Sequence, residues 1–181
     1  MIQGVWLITG VQASGKSTIA NLLARQNERA VHVRGGQFYR WAVSGWTHPT
    51  HELSDEARRM LTLRYGLSAY VADQYCQSGF VTVAQDNIFG EDVRTWLDSI
   101  SSRPRHLVVL RPSIEAVHRR DAQRQRLTGK IAYRAGELTI EDLDDLVGAI
   151  PKIGLWLDNS NQQPLETVAE IVRRQCEATI D

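Results

Sequence analysis

The sequence has few cysteines, no excess of either charge and no metal-binding motif, and each shortage excludes a class of protein. Its two cysteines, Cys76 and Cys176, form no CxxC pair, so we expect reduced and mostly packed thiols, not a disulfide framework. The 21 basic and 21 acidic residues balance, which argues against extended nucleic acid as a partner. The five histidines show no metal-ligand spacing, and neither a zinc motif nor GxSxG occurs.

Long hydrophobic segments are missing as well. No apolar run approaches the ~20 residues that cross a membrane, and no basic segment precedes an apolar one at the N-terminus. The sequence therefore predicts a cytoplasmic protein without a membrane partner. No repeat, low-complexity tract or linker divides the chain, and 181 residues fit one domain, so we expect a single domain over residues 1–181.

Short apolar segments alternate with helical patterns along the chain. Five segments have the composition of strands buried on both faces: residues 5–9 (VWLIT), 30–33 (AVHV), 80–84 (FVTVA), 106–110 (HLVVL) and 154–158 (GLWLD). Between them, residues 17–26 and 54–78 have helical periodicity, the latter with a face formed by Ala57, Leu61, Tyr65, Ala69, Ala72 and Cys76. This alternation predicts a three-layer α/β fold, with helices on both faces of a five-stranded parallel sheet.

Three local signals mark where helices begin. Ser54 can cap the helix that follows it, and Thr139 with Asp142 matches a capping box. Pro164 suits the first turn of a last helix. These signals give the predicted helices defined N-terminal boundaries.

The segment GVQASGKST lies between the first predicted strand and the first predicted helix. Gly10, Gly15, Lys16 and Ser17 fit the pattern G-x-x-x-x-G-K-[ST], the P-loop. In this motif the glycines permit a tight loop whose N–H groups surround phosphate oxygens. The lysine reaches the β- and γ-phosphates, and the serine hydroxyl can ligate Mg²⁺. A glycine-rich turn without a ligand is the alternative, but the position between strand and helix favours nucleotide phosphate binding.

Asp86 directly follows the third predicted strand. Ligands of open parallel sheets bind beyond the carboxyl ends of the strands, so this side chain is expected near the phosphates. There it could hold Mg²⁺ through water or accept a proton from an acceptor hydroxyl. The alternative is a turn aspartate that bonds to its own backbone.

The stretch HRRDAQRQRLTGKIAYR is rich in arginine. Arg120 and Arg124 lie four residues apart, on one face of a helix, and planar guanidinium groups match phosphate oxygens. We predict a lid over approximately residues 119–136, in which these two arginines close over the transferring phosphoryl group. The remaining basic residues of the stretch are Arg119, Arg126, Lys130 and Arg134. The alternative is a solvated helix end.

The stretch VHVRGGQFYRW follows the second predicted strand, where the phosphate acceptor is expected. Arg34 could orient a polar substrate, Phe38 could form an apolar wall, and Gln37 and Arg40 complete the candidate substrate residues. The alternative is an ordinary second helix with an exposed Arg40.

Taken together, these motifs resemble the chloramphenicol phosphotransferase-like group of small P-loop kinases. The similarity spans nearly the whole chain and rests on ITGVQASGKST, VHVRGGQF, LRYGLSAYVADQYCQSGF, the QD of Gln85 and Asp86, the arginine-rich stretch running into TGK, and IGLWLDNSNQQPLETVAEIV. It implies an adenylate-kinase-like core with a mobile lid, and the use of ATP and Mg²⁺ to phosphorylate a hydroxyl.

The resemblance also assigns residues by position. Phosphates are expected on Gly10, Gln12, Ala13, Ser14, Gly15, Lys16, Ser17 and Thr18, and adenine near Asp158 and Asn159. Mg²⁺ is expected near Ser17 and Asp86. The expected catalytic residues are Lys16, Asp86, Arg120 and Arg124, and the acceptor is expected beside Arg34, Gly36, Gln37, Phe38 and Arg40.

One position departs from the group. Its members are expected to read R-G-D-x-F with the aspartate as base, and this chain has Gly36 in that place. A general base contributes ~10²–10⁴-fold to a rate, so the chemistry should be impaired without being abolished, and Asp86 is the remaining candidate base. Gly36 could instead be required for a positive φ angle.

The leading functional prediction is an ATP-dependent phosphotransferase that transfers the γ-phosphate to a hydroxyl of a small molecule, such as an antibiotic or a nucleoside-like metabolite. Two alternatives stay open. One is a polynucleotide 5′-hydroxyl kinase, against which the balanced charge weighs. The other is a nucleotide-binding regulatory protein whose catalysis is weakened by glycine at position 36.

Overall fold

A computed structural model describes residues 2–45, 47, 53–129, 133 and 138–180 of the chain. Five parallel strands form one sheet in the order β2-β3-β1-β4-β5. The strands are β1 (Val5–Gly10), β2 (Ala30–Arg34), β3 (Val81–Gln85), β4 (Arg105–Leu110) and β5 (Leu155–Leu157). The predicted fold class is confirmed, and each predicted strand is present within two residues of its expected limits.

Helices connect the strands and cover both faces of the sheet. They are α1 (Lys16–Ala24), α2 (Gly36–Trp41), α3 (Asp55–Gln77), α4 (Asp92–Asp98), α5 (Ile114–Thr128), α6 (Ile140–Gly148), α7 (Pro164–Arg173) and α8 (Gln175–Ala178). The predicted caps are confirmed: the Ser54 hydroxyl accepts from the Ala57 N–H at 3.2 Å, Thr139 and Asp142 form a capping box, and α7 begins at Pro164. Among the described residues, no helix is long and apolar enough to cross a membrane.

The central strand β1 divides the core into two layers. Its alternate side chains point to opposite faces, so Val5 and Leu7 join the layer under α3 and α4, while Trp6 and Ile8 join the layer under α1 and α7. All six β1 residues are buried. A strand covered on both faces needs apolar residues at consecutive positions, which is why VWLI shows no alternation.

Helix α3 differs from the expected pattern in an informative way. Ala57, Ala69 and Ala72 are buried as predicted, but Leu61, Tyr65 and Cys76 are only half-buried. The helix also buries polar residues, namely Arg64, Ser68 and Asp73.

The expectation that both thiols are packed needs a correction, because Cys176 is exposed.

The carboxyl ends of the strands lie at one edge of the sheet. The P-loop follows β1, Gly35 and Gly36 follow β2, and Asp86 follows β3. Since β1 lies between β3 and β4, the P-loop is at the centre of this edge and Asp86 is beside it. The topology therefore brings the main sequence-predicted residues to one place.

Candidate active site

The P-loop adopts a backbone that its glycines make possible. Gly10 has φ of 145°, and a Cβ on it would lie 2.3 Å from the Leu110 carbonyl oxygen, so only glycine fits between the two central strands. Gly15 has φ of 101° and precedes α1. Ala13 is in the left-handed region with φ of 61°, an uncommon conformation for a residue with a side chain. The loop is thus held in a conformation that local preferences disfavour, as is frequent at ligand sites.

The N-terminus of α1 is open to an anion. No side chain caps it, and its first turn contains no acidic residue. The hydroxyl oxygen of Ser14 and the amide oxygen of Asn159 are buried, and neither has a hydrogen-bond partner among the described residues. Buried polar atoms are rarely left unpaired, so these two atoms indicate a polar ligand between the loop and α1.

Lys16 is the buried cation of the loop. Its Nζ donates to the carbonyl oxygens of Gly10 and Val11, at 2.8 and 2.5 Å. Burial lowers the pKa of Lys16 to about 7; nearby Arg124 and Arg64 act in the same direction, and Asp86 opposes them. Two neutral carbonyls are weak partners for a buried ammonium, so phosphate oxygens would stabilise it further.

Asp86 is buried beside Lys16, with one carboxylate oxygen in an ion pair and the other in a hydrogen bond. Its Oδ2 lies 3.1 Å from Nε of Arg64, and its Oδ1 accepts from the Asn87 N–H at 2.8 Å. Burial raises the pKa of Asp86, while Arg64, the Asn87 N–H and Lys16 act against that rise. The side chain thus combines features of both interpretations made from the sequence: it bonds to its own backbone turn, and it lies in the field of the P-loop lysine.

Two consecutive glycines beside Asp86 have opposite surroundings. A Cβ on Gly35 would lie 1.9 Å from Oδ2 of Asp86, whereas a Cβ on Gly36 would meet nothing within 4 Å. Gly36 is the first residue of α2 and is not among the glycines with positive φ. The suggestion that Gly36 is needed for a positive φ is therefore wrong, and the sterically required glycine is Gly35.

The two arginines predicted for the lid extend from α5 to different places. Arg120 donates to the Ser14 carbonyl at 3.3 Å and to the Asn159 carbonyl at 2.6 Å. Arg124 donates to Asp121 at 2.5 Å and is close enough to Lys16 to lower its pKa. The two guanidinium groups therefore have different partners: Arg120 bonds to a P-loop carbonyl, and Arg124 bonds to its own helix and acts on Lys16 through its charge.

A cleft of about 490 Å³ lies on the Arg120 side of the P-loop. It is lined by Gly15, Thr18, Ile19, Arg119, Arg120, Gln123 and residues 160–164. Asn159 precedes this lining segment, and its Nδ2 donates to the Ser14 carbonyl at 3.1 Å. Asp158 is exposed and accepts from the Ser160 N–H at 2.9 Å. The cleft adjoins the start of α1, where the base and ribose of a nucleotide would extend.

Part of the predicted lid lies outside the described residues. Residues 119–128 form the C-terminal part of α5, while Lys130 and Arg134 are not among the residues that the structure describes. Tyr133 is described, and its hydroxyl donates to the carbonyl of Gln12 at 2.8 Å. Tyr133 therefore contacts the P-loop.

The candidate acceptor residues lie on and before α2. Arg34 is exposed at the end of β2, and Gln37 and Arg40 are exposed on α2. Phe38 is half-buried, and its ring meets that of Trp41 edge to face at 5.1 Å. Their arrangement agrees with a short second helix and leaves its outer face open to solvent. The assignment of these residues to the acceptor stays a prediction.

The residues present fit a Mg²⁺ ion held mostly by nucleotide phosphates and water. Ser17 is exposed in the first turn of α1, and Asp86 offers a carboxylate beside Lys16. The described residues contain no group of three histidine, cysteine or acidic side chains that would form a site made by protein alone. This sparse ligand set is typical of Mg²⁺ in nucleotide sites.

Sequence reasoning missed Arg64. It lies on α3, 8% exposed, and touches Asp86. The helical pattern gave no signal for it, because apolar spacing selected Tyr65 for the buried face. A buried arginine next to a strand-end aspartate is visible only once the fold places α3 against β3.

A protein-family model described as an AAA domain matches residues 5–146. The chain belongs to the AAA domain family. The matched range contains the P-loop, Arg64, Asp86 and α5, so the family covers most of the candidate site. No curated protein matches the sequence.

Solved structures give this AAA domain the fold of P-loop kinases. A sugar kinase from Janibacter sp. is 19% identical with a TM-score of 0.68, over 98% of this chain and 96% of that one. The tunicamycin resistance protein of Deinococcus radiodurans is 13% identical with a TM-score of 0.68, over 99% of both. Shikimate kinase from Aquifex aeolicus is 14% identical with a TM-score of 0.57, over 94% and 95%. The narrower resemblance to chloramphenicol phosphotransferase-like proteins stays a prediction.

Proposed function

We propose that this AAA domain protein is a phosphotransferase that moves the γ-phosphoryl group of ATP to a hydroxyl of a small molecule. The observation that carries the proposal is the buried Lys16, which donates to the carbonyls of Gly10 and Val11 at the open N-terminus of α1. A cation and free amide donors at one point match the β- and γ-phosphates of a nucleotide. Sugar, gluconate and shikimate kinases share the fold, which supports a small-molecule acceptor.

The cleft beside Arg120 supports the nucleotide half of the proposal. The Arg120 guanidinium is fixed by the Ser14 and Asn159 carbonyls, so a planar cation forms one wall of the cleft. A purine can stack on such a plane. We assign Arg120 to base binding and Arg124 to the phosphates, in place of the single phosphate-binding role predicted for both.

In phosphoryl transfer the protein contributes mainly by positioning the reactants and by stabilising negative charge. The acceptor oxygen forms a bond to the γ-phosphorus as the bond from that phosphorus to the bridging oxygen of ADP breaks. Lys16 and Arg124 would stabilise the negative charge on the transferring group and on ADP. Bound Mg²⁺, held through Ser17 and near Asp86, would neutralise phosphate charge. The hydroxyl proton passes to Asp86 or to water, since residue 36 has no carboxylate.

The acceptor side is open. Gly36 has no atom within 4 Å of where a Cβ would be, and Gln37 and Arg40 are exposed beside it. A substrate hydroxyl approaching over α2 would reach the γ-phosphate next to Asp86. A small hydroxylated antibiotic or nucleoside-like metabolite suits this geometry.

A screen for labelled product tests the proposal. The wild-type protein is incubated with γ-labelled Mg-ATP and pools of bacterial metabolites and antibiotics, and Lys16→Ala protein serves as the matched control. We expect one pool to yield labelled product that the variant does not form. A 5′-hydroxyl oligonucleotide is one further pool, and its labelling would favour the polynucleotide kinase. Nucleotide binding without labelled product in any pool would favour the regulatory protein.

A further inference from the structure

The buried guanidinium of Arg64 is surrounded by groups that hold it in one position. Its Nε lies 3.1 Å from Oδ2 of Asp86, and its Nη2 donates to the Asn87 carbonyl at 3.2 Å. The rings of Tyr39 and Tyr65 lie 4.6 and 5.0 Å from the guanidinium carbon. The Tyr65 hydroxyl donates to the same Asn87 carbonyl at 2.8 Å. The side chain is therefore fixed by an ion pair, a hydrogen bond and two aromatic faces.

Gly35 completes this arrangement. A Cβ at that position would fall 1.9 Å from Oδ2 of Asp86, in the space that the carboxylate occupies when it pairs with Arg64. The Gly35 N–H donates to the Gln85 carbonyl at 3.0 Å, so the glycine cannot easily retreat. The backbone after β2 thus leaves Asp86 room to turn toward α3.

Two buried cations compete for this one carboxylate. Lys16 and Arg64 are 6% and 8% exposed, and Asp86 is the acidic residue that acts on both. In the structure the Asp86 carboxylate is ion-paired with Arg64. Lys16 Nζ instead donates to the Gly10 and Val11 carbonyls, and it forms no ion pair with Asp86 among the described contacts. A carboxylate would bind a buried ammonium far more strongly than two carbonyls do.

We propose that Arg64 is a positioning residue that holds Asp86 away from Lys16 and so keeps the P-loop lysine available to nucleotide phosphates. The inference rests on the nucleotide binding in the proposed function, and it adds the reason why Lys16 stays available for that binding. Without the Arg64 cation, Asp86 would be a buried carboxylate with one oxygen unpaired, and Lys16 is the remaining buried cation beside it. An Asp86–Lys16 ion pair would then compete with every incoming phosphate.

The test is suppression of one substitution by another, read as nucleotide binding. Calorimetry measures the affinity for AMP-PNP, a non-hydrolysable ATP analogue, in EDTA, so that neither turnover nor metal binding at Asp86 contributes. We expect Arg64→Met to weaken binding by about 10- to 100-fold, the effect of losing one charge-assisted hydrogen bond. In the double variant Arg64→Met/Asp86→Asn, affinity should return to within about 3-fold of Asp86→Asn alone, because no carboxylate is left to capture Lys16.

Two further variants separate this cause from general damage. Arg59→Met makes the same change on the exposed face of the same helix and should leave the affinity unchanged. Arg64→Lys keeps a cation beside Asp86 and should retain most of the affinity. If Arg64→Met does not fold, Arg64→Gln also removes the cation and should show the same loss.

Two results would overturn the inference: a variant without the cation, Arg64→Met or Arg64→Gln, binding as tightly as the wild type, or a double variant no better than Arg64→Met. Wild-type protein that binds no AMP-PNP would instead reject the proposed function, and the inference with it.

Discussion

Aspartate at position 36 should be accepted by the fold and should raise the rate of phosphoryl transfer. The added Cβ meets nothing within 4 Å, and the backbone there is not in the left-handed region. Gly36 is the first residue of α2, whose first turn has no acidic side chain, so an aspartate would interact favourably with the helix dipole by ~0.3–1 kcal/mol. For a chain of this length that corresponds to a melting temperature ~1–4 °C higher.

The neighbouring glycine is the matched control. For Gly35→Ala, the Asp86 carboxylate would have to move from 1.9 Å to the 3.4 Å of ordinary contact with the new Cβ, a shift of 1.5 Å. That shift separates it from Arg64, and breaking a buried ion pair costs about 3–5 kcal/mol. We expect the melting temperature to fall by roughly 6–20 °C, in contrast to the gain at position 36.

The rate is measured on the acceptor that the labelling screen identifies. A carboxylate at position 36 can accept the hydroxyl proton but touches no nucleotide phosphate, so kcat should rise by up to ~10²–10⁴-fold with little change in the affinity for ATP. A stable Gly36→Asp protein with no gain in kcat would reject the missing-base idea and leave Asp86 as the working base. A Gly36→Asp protein as unstable as Gly35→Ala would contradict the geometry at the end of β2.

Three other predictions follow from the site. Lys16→Ala should reduce ATP binding and turnover severely while the circular dichroism spectrum stays that of the wild type; unchanged affinity by calorimetry would remove the P-loop assignment. Arg120→Ala should mainly raise the KM for ATP and Arg124→Ala should mainly lower kcat, and steady-state kinetics showing the reverse would contradict their separate roles. Burial, aided by the nearby charge of Arg34, lowers the pKa of His32 from 6.5 to about 4. The unfolded chain therefore binds a proton that the folded one does not, and stability is lost as pH falls from about 6.5 to 4. His32→Gln should lessen this loss in urea denaturation at pH 5 compared with pH 7, and an unchanged difference would refute it.

The placement of the P-loop and of Asp86 in the fold could be predicted because their signals are local. A loop that wraps phosphate is made by consecutive residues, so Gly10, Gly15 and Lys16 are recognisable from spacing alone. Asp86 immediately follows a strand, and the carboxyl edge of a parallel sheet is where ligands bind. The fold could be predicted for a similar reason, since the buried strands are short consecutive apolar runs and the helices between them have a helical period.

Arg64 could not be predicted, because its partner is 22 residues away in sequence. No spacing rule links a residue of α3 to the end of β3, and the arginine lies next to Tyr65, which the apolar pattern favoured. The different directions of Arg120 and Arg124 were hidden for a related reason. A four-residue spacing predicts a shared face, but one helical turn is ~5.4 Å along the axis. That distance is enough to place one guanidinium at the carbonyls of Ser14 and Asn159 and the other at Asp121, within the electrostatic reach of Lys16.

The two sides of the site differ in how tightly they are built, and this difference bears on specificity. On the nucleotide side, Ser14, Lys16 and Asn159 are buried and linked through backbone carbonyls, so a change in one disturbs the others. On the acceptor side, Gly36 and Arg40 are exposed, with open space above the glycine. Buried, coupled contacts discriminate strongly between ligands, whereas exposed side chains tolerate substitution. The acceptor range should therefore change readily through substitutions at the exposed α2 positions Gln37 and Arg40 while ATP binding is retained, because Lys16 is bonded to the carbonyls of Gly10 and Val11 and not to those side chains.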